Sequence, residues 1–350
     1  MKQHRPIRQI LTLSIIVTVY NGEDTLKKCL HSIYKQTIDN YELICVDDGS
    51  TDRSLEILKQ EARKNTKVRV IHQDNKGVWF ARKRGIQEAS GEWIGFVDCD
   101  DTIQENMYQE MLSASEQDKD IGMVVCGFHK VDAQTGLIYA SQMTGFGKQV
   151  MDARGNQGFL AAVNPAVWNK IFRLDDVKHA IVLDKAPRIM EDLIFVCSIL
   201  PLFRKIAFTD QTFYQYHNRK NSVTKTIGYS DIICVKEAVA DLKDFWHAQY
   251  QDYTLLELLV FFHLGIAMTI NYNQDEGRNS MQIWKDLTRY LDHYFPFWKK
   301  NPYLTFSYCR HYRMMWKLYL ASRIFQTPAF PVIVSLYHIL EYRLKIDLKW

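Results

Sequence analysis

Several features that mark other classes of protein are absent from this 350-residue sequence. No apolar run reaches the length of about 18 residues that a membrane-spanning helix needs, so no transmembrane helix is predicted. The seven cysteines form no C-x-x-C pair and no cysteine–histidine cluster with zinc spacing, which argues against a zinc site. The formal net charge is only +4, so the composition gives no reason to expect a nucleic-acid partner.

The composition that is present is ordinary for a globular protein. Hydrophobic residues make up 47% and charged residues 24% of a chain long enough for one large or two modest domains. Most cysteines lie among apolar residues, which predicts free thiols and a reducing, cytoplasmic compartment. The N-terminal segment is basic and then apolar, but it lacks a small-residue cleavage site, and we interpret it as a strand rather than a signal peptide.

Strands alternate with helices through the first hundred residues. The apolar runs at 13–20, 41–48, 68–73 and 92–98 predict strands, and the amphipathic segments at 24–36, 50–65 and 77–90 predict helices. This alternation predicts an α/β fold with a mostly parallel sheet flanked by helices. Ligands of such folds bind beyond the carboxyl ends of the strands.

Polar and acidic residues end three of these strands, in the sequences TVYNG, VDDGS and VDCDD. In an extended segment residues two apart point to one side, so Asp98 and Asp100 can share one space. Carboxylate oxygens suit Mg²⁺ or Mn²⁺, and such an ion would hold a diphosphate. A solvated turn explains this motif equally well when it is taken alone.

Four segments in order resemble family 2 glycosyltransferases of the GT-A (Rossmann-like) fold. They are SIIVTVYNGEDTLKKCLHSIYKQT, YELICVDDGSTDRS, NKGVWFARKRGI and GEWIGFVDCDD. The resemblance implies inverting transfer of a sugar from a nucleoside diphosphate, usually UDP. By position it implies the following roles: Thr18, Tyr20 and Asp48 at the nucleoside, Arg82 near the diphosphate, Asp98 at the ribose or metal, and Asp100 as a ligand of Mn²⁺ or Mg²⁺. Lys83 stands where the family usually has Asn.

The second half resembles the family less closely. MEDLIF is similar to the motif that supplies the general base, which implies Asp192, with Glu191 as the alternative. A carboxylate on the acceptor side can take the proton of the attacking hydroxyl, although an acid here also suits a helix N-terminus. The segments AVWNKIFR and YHNRKNSVT imply acceptor or diphosphate contacts for Trp168, Lys170, His217 and Arg219, whose alternatives are core packing and a solvated loop.

The resemblance fades after about residue 225, and helical patterns rich in aromatic residues follow. We therefore expect a catalytic domain at 1–228, with a nucleotide-sugar half at 1–105 and an acceptor half at 106–228, and a helical region at 229–350. Residues 301–350 carry seven Lys or Arg against two acids. Two interpretations stay open: the helices lie on the inner face of the plasma membrane, or they pack on protein.

These observations predict a metal-dependent inverting hexosyltransferase that uses a UDP-sugar and a glycan or lipid-linked acceptor, in capsule or exopolysaccharide synthesis. Two alternatives remain. FVDCDDT also fits the nucleophile motif of haloacid-dehalogenase-like phosphatases, although that motif normally follows the first strand of its domain. The second alternative is a scaffold protein that binds a nucleotide sugar but has no catalytic activity. A nicotinamide-dependent oxidoreductase would need G-x-G-x-x-G after the first strand, where the sequence reads VYNGEDT.

Overall fold

The computed structural model describes residues 11–344 apart from 145, 181–182, 184, 219–226, 251, 273–278 and 311–312. The chain divides into two compact units. The first consists of Met1–Asp152, Ala166–Ala180 and Leu202–Arg219, and the second of Ala153–Pro165, Ile181–Pro201 and Lys220–Trp350. The expected domain boundary between residues 228 and 229 stays a prediction.

The described part of the first unit contains one ten-stranded sheet. Its strands are β1 Leu13–Val19, β2 Tyr41–Asp48, β3 Val68–Gln73, β4 Trp93–Asp98, β5 Thr102–Ile103, β6 Ile121–Asp132, β7 Ile138–Gln142, β8 Gln149–Asp152, β9 Lys170–Arg173 and β10 Lys205–Asn218. They follow the order β3-β2-β1-β4-β9-β6-β10-β5, with β7 beside β6 and β8 beside β10.

The central sheet is mostly parallel, as predicted. Strands β1 to β4 pair in parallel, and β6 pairs in parallel with β10. Strand β9 is antiparallel to both β4 and β6, so β1 to β4, β6 and β10 all run in the same direction. All seven residues of β1 are buried, as expected for a strand covered on both faces. The predicted α/β fold class is therefore confirmed.

The helices differ in role between the two units. Their bounds are α1 Leu26–Tyr34, α2 Ser54–Lys64, α3 Val78–Glu88, α4 Met107–Ser115, α5 Gln157–Leu160, α6 Leu174–Val177, α7 Glu191–Ile199, α8 Tyr229–Gln249, α9 Thr254–Val260, α10 Met268–Asn271, α11 Ser280–Tyr294, α12 Phe306–Cys309, α13 Arg313–Phe325 and α14 Ala329–Leu344. In the first unit α1, α2 and α3 connect successive parallel strands. The described part of the second unit is almost entirely helical, which agrees with the predicted C-terminal helical region.

Two strands near the middle of the chain are not among those that the sequence predicts. Strand β9 consists of Lys170–Arg173, at the end of the segment AVWNKIFR. Strand β10 runs from Lys205 to Asn218. Both strands pair with distant parts of the chain, which no local pattern reveals.

One long apolar helix lies in the second unit. It runs from Thr254 to Asn271 and comprises α9, a π-helical segment Phe261–Ala267, and α10. Among the described residues it is the one helix long and apolar enough to cross a membrane, but 72% of it is buried inside the structure. Such burial is typical of a helix in a protein core, so this is weak evidence for a membrane span.

His263 lies in the π-helical segment, and its ring Nε2 is buried without a hydrogen-bond partner among the described residues. Burial lowers the pKa of His263 from its ordinary 6.5 to about 4. The unfolded chain therefore takes up this proton as the pH falls through 6.5, whereas the folded protein does so only near pH 4. The free energy of unfolding therefore falls progressively as the pH is lowered from 6.5 to about 4.

We expect acidification to lower the free energy of unfolding by up to roughly 3 kcal/mol through His263. His263→Leu should flatten the pH dependence between pH 6.5 and 4, since leucine has no group that takes up a proton in this range. Urea unfolding at several pH values measures the effect, with His293→Leu, a change at an exposed helical histidine, as the control. A His263→Leu protein as acid-sensitive as the parent would contradict the assignment.

Candidate active site

Polar side chains gather at the carboxyl edge of the parallel strands. Strands β2 and β3 follow on one side of β1, whereas β4 pairs with β1 on its other side. The direction in which strands are added to the sheet therefore reverses between β1 and β4. Ligands of open α/β sheets bind at such a point. The register pairs Thr18 of β1 directly with Asp98 of β4, and Thr18 is almost completely buried. This edge of the sheet is therefore the candidate active site.

Asp48 and Asp98 share this edge but do not share one cluster. They lie on β2 and β4, which flank β1 on opposite sides. Two strand spacings separate them by roughly 10 Å. Thr18 lies in β1 between the two strands, and Tyr20, which is 52% exposed, follows the end of β1. The arrangement suits an extended ligand with separate nucleoside and phosphate ends better than one ion held by all the acids.

The turns that follow β1 and β2 are joined by hydrogen bonds. The amides of Asn21 and Gly22 donate to the hydroxyls of Ser50 and Ser54 at 3.0 and 2.9 Å. The Thr51 amide donates back to the side-chain oxygen of Asn21 at 2.8 Å. Asn21 has a positive φ of 48°, which Asn tolerates better than most residues. These contacts fix the backbone immediately beside Tyr20.

Asp48 organises the loop that leads into α3. Its Oδ1 accepts from Gln73 Nε2 at 2.7 Å and from the Lys76 amide at 3.0 Å, while its Oδ2 accepts from the Gly77 amide at 2.8 Å. The side chain is buried, so these bonds satisfy most of its acceptor capacity. Asp48 therefore shapes the wall of the edge in addition to its predicted place at the nucleoside.

The preceding acid, Asp47, was not among the predicted site residues. It is fully buried, and its Oδ2 lies 2.7 Å from Nδ1 of His72 on β3. Its Oδ1 is buried and has no partner within the described residues. The alternation of β2 turns Asp47 and Asp48 to opposite faces of the sheet, so Asp47 contacts different neighbours from those of Asp48.

Arg82 reaches the same edge from α3. Helix α3 packs closely on β1, since a Cβ added at Gly85 would lie 2.7 Å from Ile16. Arg82 is buried, and its guanidinium donates to Asp98 Oδ1 at 3.2 Å. The structure thus places Arg82, which the resemblance assigns near the diphosphate, beside Asp98, which it assigns to the ribose or metal.

Asp98, the last residue of β4, begins a tight turn that ends at Asp101, whose amide donates to the Asp98 carbonyl at 3.0 Å. Asp98 and Asp100 are partly exposed, whereas Asp101 is buried. Burial raises the pKa of Asp101 well above its ordinary value, and the charges of Asp100 and Asp98 raise it further. The three carboxyl groups are therefore close enough to repel one another.

Strand β10 supplies the hydrogen bonds that hold Asp101. The His217 amide donates to its Oδ1 at 2.8 Å, and the Tyr214 hydroxyl donates to its Oδ2 at 2.7 Å. Burial raises the pKa of Tyr214 well above normal, and the nearby Asp101 and Asp98 act in the same direction. The phenol therefore stays protonated and remains a donor. Sequence reasoning missed Tyr214 and Asp101, although the third acid of V-D-C-D-D was a visible signal.

Asp98 and Asp100 offer oxygen donors that fit a divalent cation. No group of three or more His, Cys, Asp or Glu residues is placed to hold a metal ion within the described part of the chain. Mg²⁺ and Mn²⁺ commonly bind through one or two carboxylates and complete their shell with substrate phosphates and water. Two half-exposed carboxylates on a fixed turn therefore fit a metal that arrives with a diphosphate.

The remaining residues predicted for the acceptor side differ in placement. Trp168 and Lys170 are buried in the first unit, and Lys170 Nζ donates to the Ala166 carbonyl at 2.6 Å and to Asn169 Oδ1 at 2.8 Å. His217 is partly exposed, with Nε2 3.0 Å from Thr102 Oγ1. Arg219 lies outside the described residues.

Glu191 and Asp192 belong to the second unit and occupy the first turn of α7. The residue before the helix, Met190, has a left-handed backbone with φ of 61°. Seven consecutive residues from Leu193 to Ile199 are buried, whereas Glu191 and Asp192 are partly exposed. The first turn of α7 thus carries two accessible carboxylates, whereas the rest of the helix is buried.

The fold and the edge acids define the class of protein, an α/β domain of the GT-A type. The structure aligns with that of S. aureus TarS 1-349 in complex with UDP-GlcNAc at a TM-score of 0.68 and 17% identity, over 97% of this chain and 93% of that one. It also aligns with a mannosyltransferase from Pyrobaculum calidifontis in complex with GDP-Man and Mn²⁺ at a TM-score of 0.50 and 14% identity, over 89% and 86% of the two chains. At these identities the likeness shows the fold alone.

Residues 14–173 match the family model described as Glycosyl transferase family 2. The chain is 32% identical over 217 residues to the uncharacterized glycosyltransferase EpsJ of Bacillus subtilis (strain 168). The aligned residues cover 61% of this chain and 63% of the relative. The chain thus spans rather less than two thirds of the length of the curated relatives it matches. The resemblance to family 2 glycosyltransferases that the sequence indicates is confirmed.

Proposed function

We propose that this chain is a metal-dependent inverting glycosyltransferase. It transfers a sugar from a nucleoside diphosphate, most simply UDP, to a hydroxyl of a glycan or lipid-linked acceptor in the synthesis of a surface polysaccharide. The observation that supports this most directly is the turn at Asp98–Asp101, held at the switch point of the sheet with Arg82 against Asp98. The donors named for TarS and for the Pyrobaculum enzyme, UDP-GlcNAc and GDP-Man, are consistent with such a site.

The donor would lie along the carboxyl edge from β2 to β4. Tyr20 offers an exposed ring against which a base can stack, and Thr18 and Asp48 offer polar atoms near the nucleoside. Arg82 supplies positive charge beside the diphosphate. Asp98 and Asp100 would hold Mn²⁺ or Mg²⁺, which supplies charge that stabilises the departing diphosphate when it is bound.

The acceptor hydroxyl must lose a proton as it attacks the anomeric carbon. Asp192 is the proposed base, with Glu191 as the alternative, because both carboxylates are accessible at the start of α7. A single displacement of this kind needs no covalent nucleophile on the protein and inverts the anomeric centre. The phosphatase alternative is less consistent with the fold, since the D-x-D turn follows the fourth parallel strand of a glycosyltransferase-type sheet.

The metal assignment predicts a specific loss on changing Asp100. Asp100→Ala should reduce sugar transfer by at least about 10²-fold, because a ligand to the charge-stabilising ion is removed. A nucleotide-release assay over a Mn²⁺ titration, after a thermal-shift screen to find the donor, measures the effect. Asp74→Ala, at an exposed acid that follows β3, is the control. Unchanged metal dependence in Asp100→Ala would disprove the ligand assignment.

The base assignment makes a different prediction for Asp192. Asp192→Asn should leave donor affinity within about twofold of the parent and lower kcat by roughly 10²- to 10⁴-fold, because only the proton acceptor is lost. Isothermal titration with the donor and single-turnover transfer measure the two quantities. Glu191→Gln tests the alternative base, and Asp175→Asn, at an exposed acid in the first turn of α6, is the control. Loss of donor binding in Asp192→Asn would indicate a structural role.

A lipid-linked acceptor would be met at a membrane surface, and α13 and α14 support peripheral contact with anionic lipid. Helix α13 exposes Trp316, Leu320 and Ile324, which are four residues apart and therefore lie on one face. Helix α14 exposes Val332 and Leu336 in the same way. Apolar and aromatic faces of this kind can enter the lipid headgroup region.

Charge favours anionic lipid over another copy of the chain as the occupant of this face. From His293 to Leu340 the sequence contains no Asp or Glu. The basic residues of that stretch are Lys299, Lys300, Arg310, Arg313, Lys317 and Arg323. Two such surfaces would repel each other, whereas anionic lipid attracts each Lys or Arg near it by about 1 kcal/mol.

We expect the protein to co-sediment with vesicles containing phosphatidylglycerol but not with pure phosphatidylcholine vesicles. Trp316→Ser combined with Leu320→Ser should weaken this binding by at least about 10-fold, because two apolar side chains no longer enter the lipid. Leu137→Ser combined with Ile138→Ser, at two exposed apolar residues of the β6–β7 region, is the matched control. Self-association without vesicle binding, or equal binding to neutral vesicles, would contradict the proposal.

A further inference from the structure

The hydroxyl of Tyr214 is hydrogen-bonded to both ends of the turn Asp98–Asp101, which carries the proposed metal ligands. Tyr214 Oη donates to Asp101 Oδ2 at 2.7 Å and accepts from the Asp98 amide at 3.2 Å. The neighbouring His217 amide occupies the other oxygen of Asp101. Strand β10 thus holds the first and last residues of the turn, and Asp100 lies on the segment between them.

The phenol is itself held in place by packing. Tyr214 is fully buried, and its ring stacks on Trp168 with centroids 4.3 Å apart and an angle of 22° between the planes. The Trp168 segment is in turn bound to β6, because Asn169 Nδ2 donates to the Cys126 carbonyl at 2.8 Å and the Cys126 amide donates to the Asn169 carbonyl at 3.0 Å. The W-N-K motif therefore supports β10 rather than facing solvent.

The turn needs such support because it contains a buried carboxyl group. Asp101 is buried beside two partly exposed acids, and a buried carboxyl group without partners is costly. Losing the Tyr214 hydroxyl would remove one hydrogen bond from Asp101 Oδ2 and one from the Asp98 amide. The turn could then relax, and the carboxylates of Asp98 and Asp100 would leave the geometry that a cation requires.

We propose that Tyr214 is a positioning residue that sets the geometry of Asp98 and Asp100 for a divalent cation with its diphosphate, and that Trp168 acts through Tyr214. The inference rests on the proposed function, since it assumes that the turn holds a metal. Tyr214 donates its hydrogen bond to Asp101 and acts on the ion only through the turn.

Tyr214→Phe tests the hydroxyl while it keeps the stacked ring. We expect the affinity for Mn²⁺ in the presence of UDP to fall by roughly 10- to 100-fold, as for other groups that orient metal ligands. The affinity for UDP without metal should stay within about twofold of the parent. Electron paramagnetic resonance of free Mn²⁺ measures the first quantity, and isothermal titration measures the second.

Tyr108→Phe is the matched control. Tyr108 is another fully buried tyrosine of the first unit, and its hydroxyl has no hydrogen-bond partner among the described residues. This variant should keep the Mn²⁺ affinity of the parent. A Tyr214→Phe protein that binds Mn²⁺ as tightly as Tyr108→Phe would overturn the inference, even if its melting temperature falls. A parent protein that binds no Mn²⁺ with UDP would instead refute the proposed function, and this inference with it.

Trp168→Leu separates the supporting role from contact with the acceptor. If Trp168 acts through Tyr214, the variant loses Mn²⁺ affinity in the absence of any acceptor. If Trp168 forms a wall for the acceptor sugar, the KM for the acceptor rises while Mn²⁺ affinity stays unchanged, and that result would remove Trp168 from the proposal. The thermal unfolding midpoint of each variant, measured first, sets the temperature at which all proteins are fully folded.

Discussion

Charge repulsion within a single tight turn is the constraint on which the candidate site depends. Three carboxyl groups fall within four residues after β4, and one of them, Asp101, is buried. The protein meets this constraint by giving the buried group two donors from β10, while Arg82 pairs with Asp98. The two partly exposed groups can then face a cation. The site proposed for a metal and a diphosphate must tolerate this concentration of acidic groups before any ligand arrives.

The sheet makes the arrangement feasible because it brings distant segments to one edge. Strands β4 and β10 are more than a hundred residues apart in sequence, yet β5 pairs with β10 directly after the acidic turn. The switch of strand order between β1 and β4 opens the edge where Thr18 and Asp98 are neighbours. Asp48 remains on the far side of β1, where it holds the loop before α3. The residues proposed for the nucleoside and for the phosphates are therefore separated along the edge by strand geometry.

The helical second unit is built mainly by apolar packing. Its interior is filled by large apolar side chains, including the long helix Thr254–Asn271, while α7 presents Glu191 and Asp192 at its first turn. Its C-terminal helices keep an exposed apolar face within a stretch that carries no acid. Packing thus accounts for most of this unit, and the accessible acids and the basic apolar face are the features available for chemistry or contact.

The α/β class, the first four strands, the helices between them and the edge where acids collect could be predicted from the sequence, because they follow from local apolar periodicity and from the rule for parallel sheets. The sequence also carried the resemblance to the family. It did not indicate that Trp168 would be buried against Tyr214, or that Asp101 would depend on β10, although each residue was visible. Those contacts join segments far apart in the chain, and a stacked ring or a shared hydroxyl leaves no periodic signal. The three-dimensional structure is needed to show that Asp98 and Asp100 are partly exposed and that Asp101 is buried and hydrogen-bonded to β10, since burial and hydrogen bonding arise where strands meet.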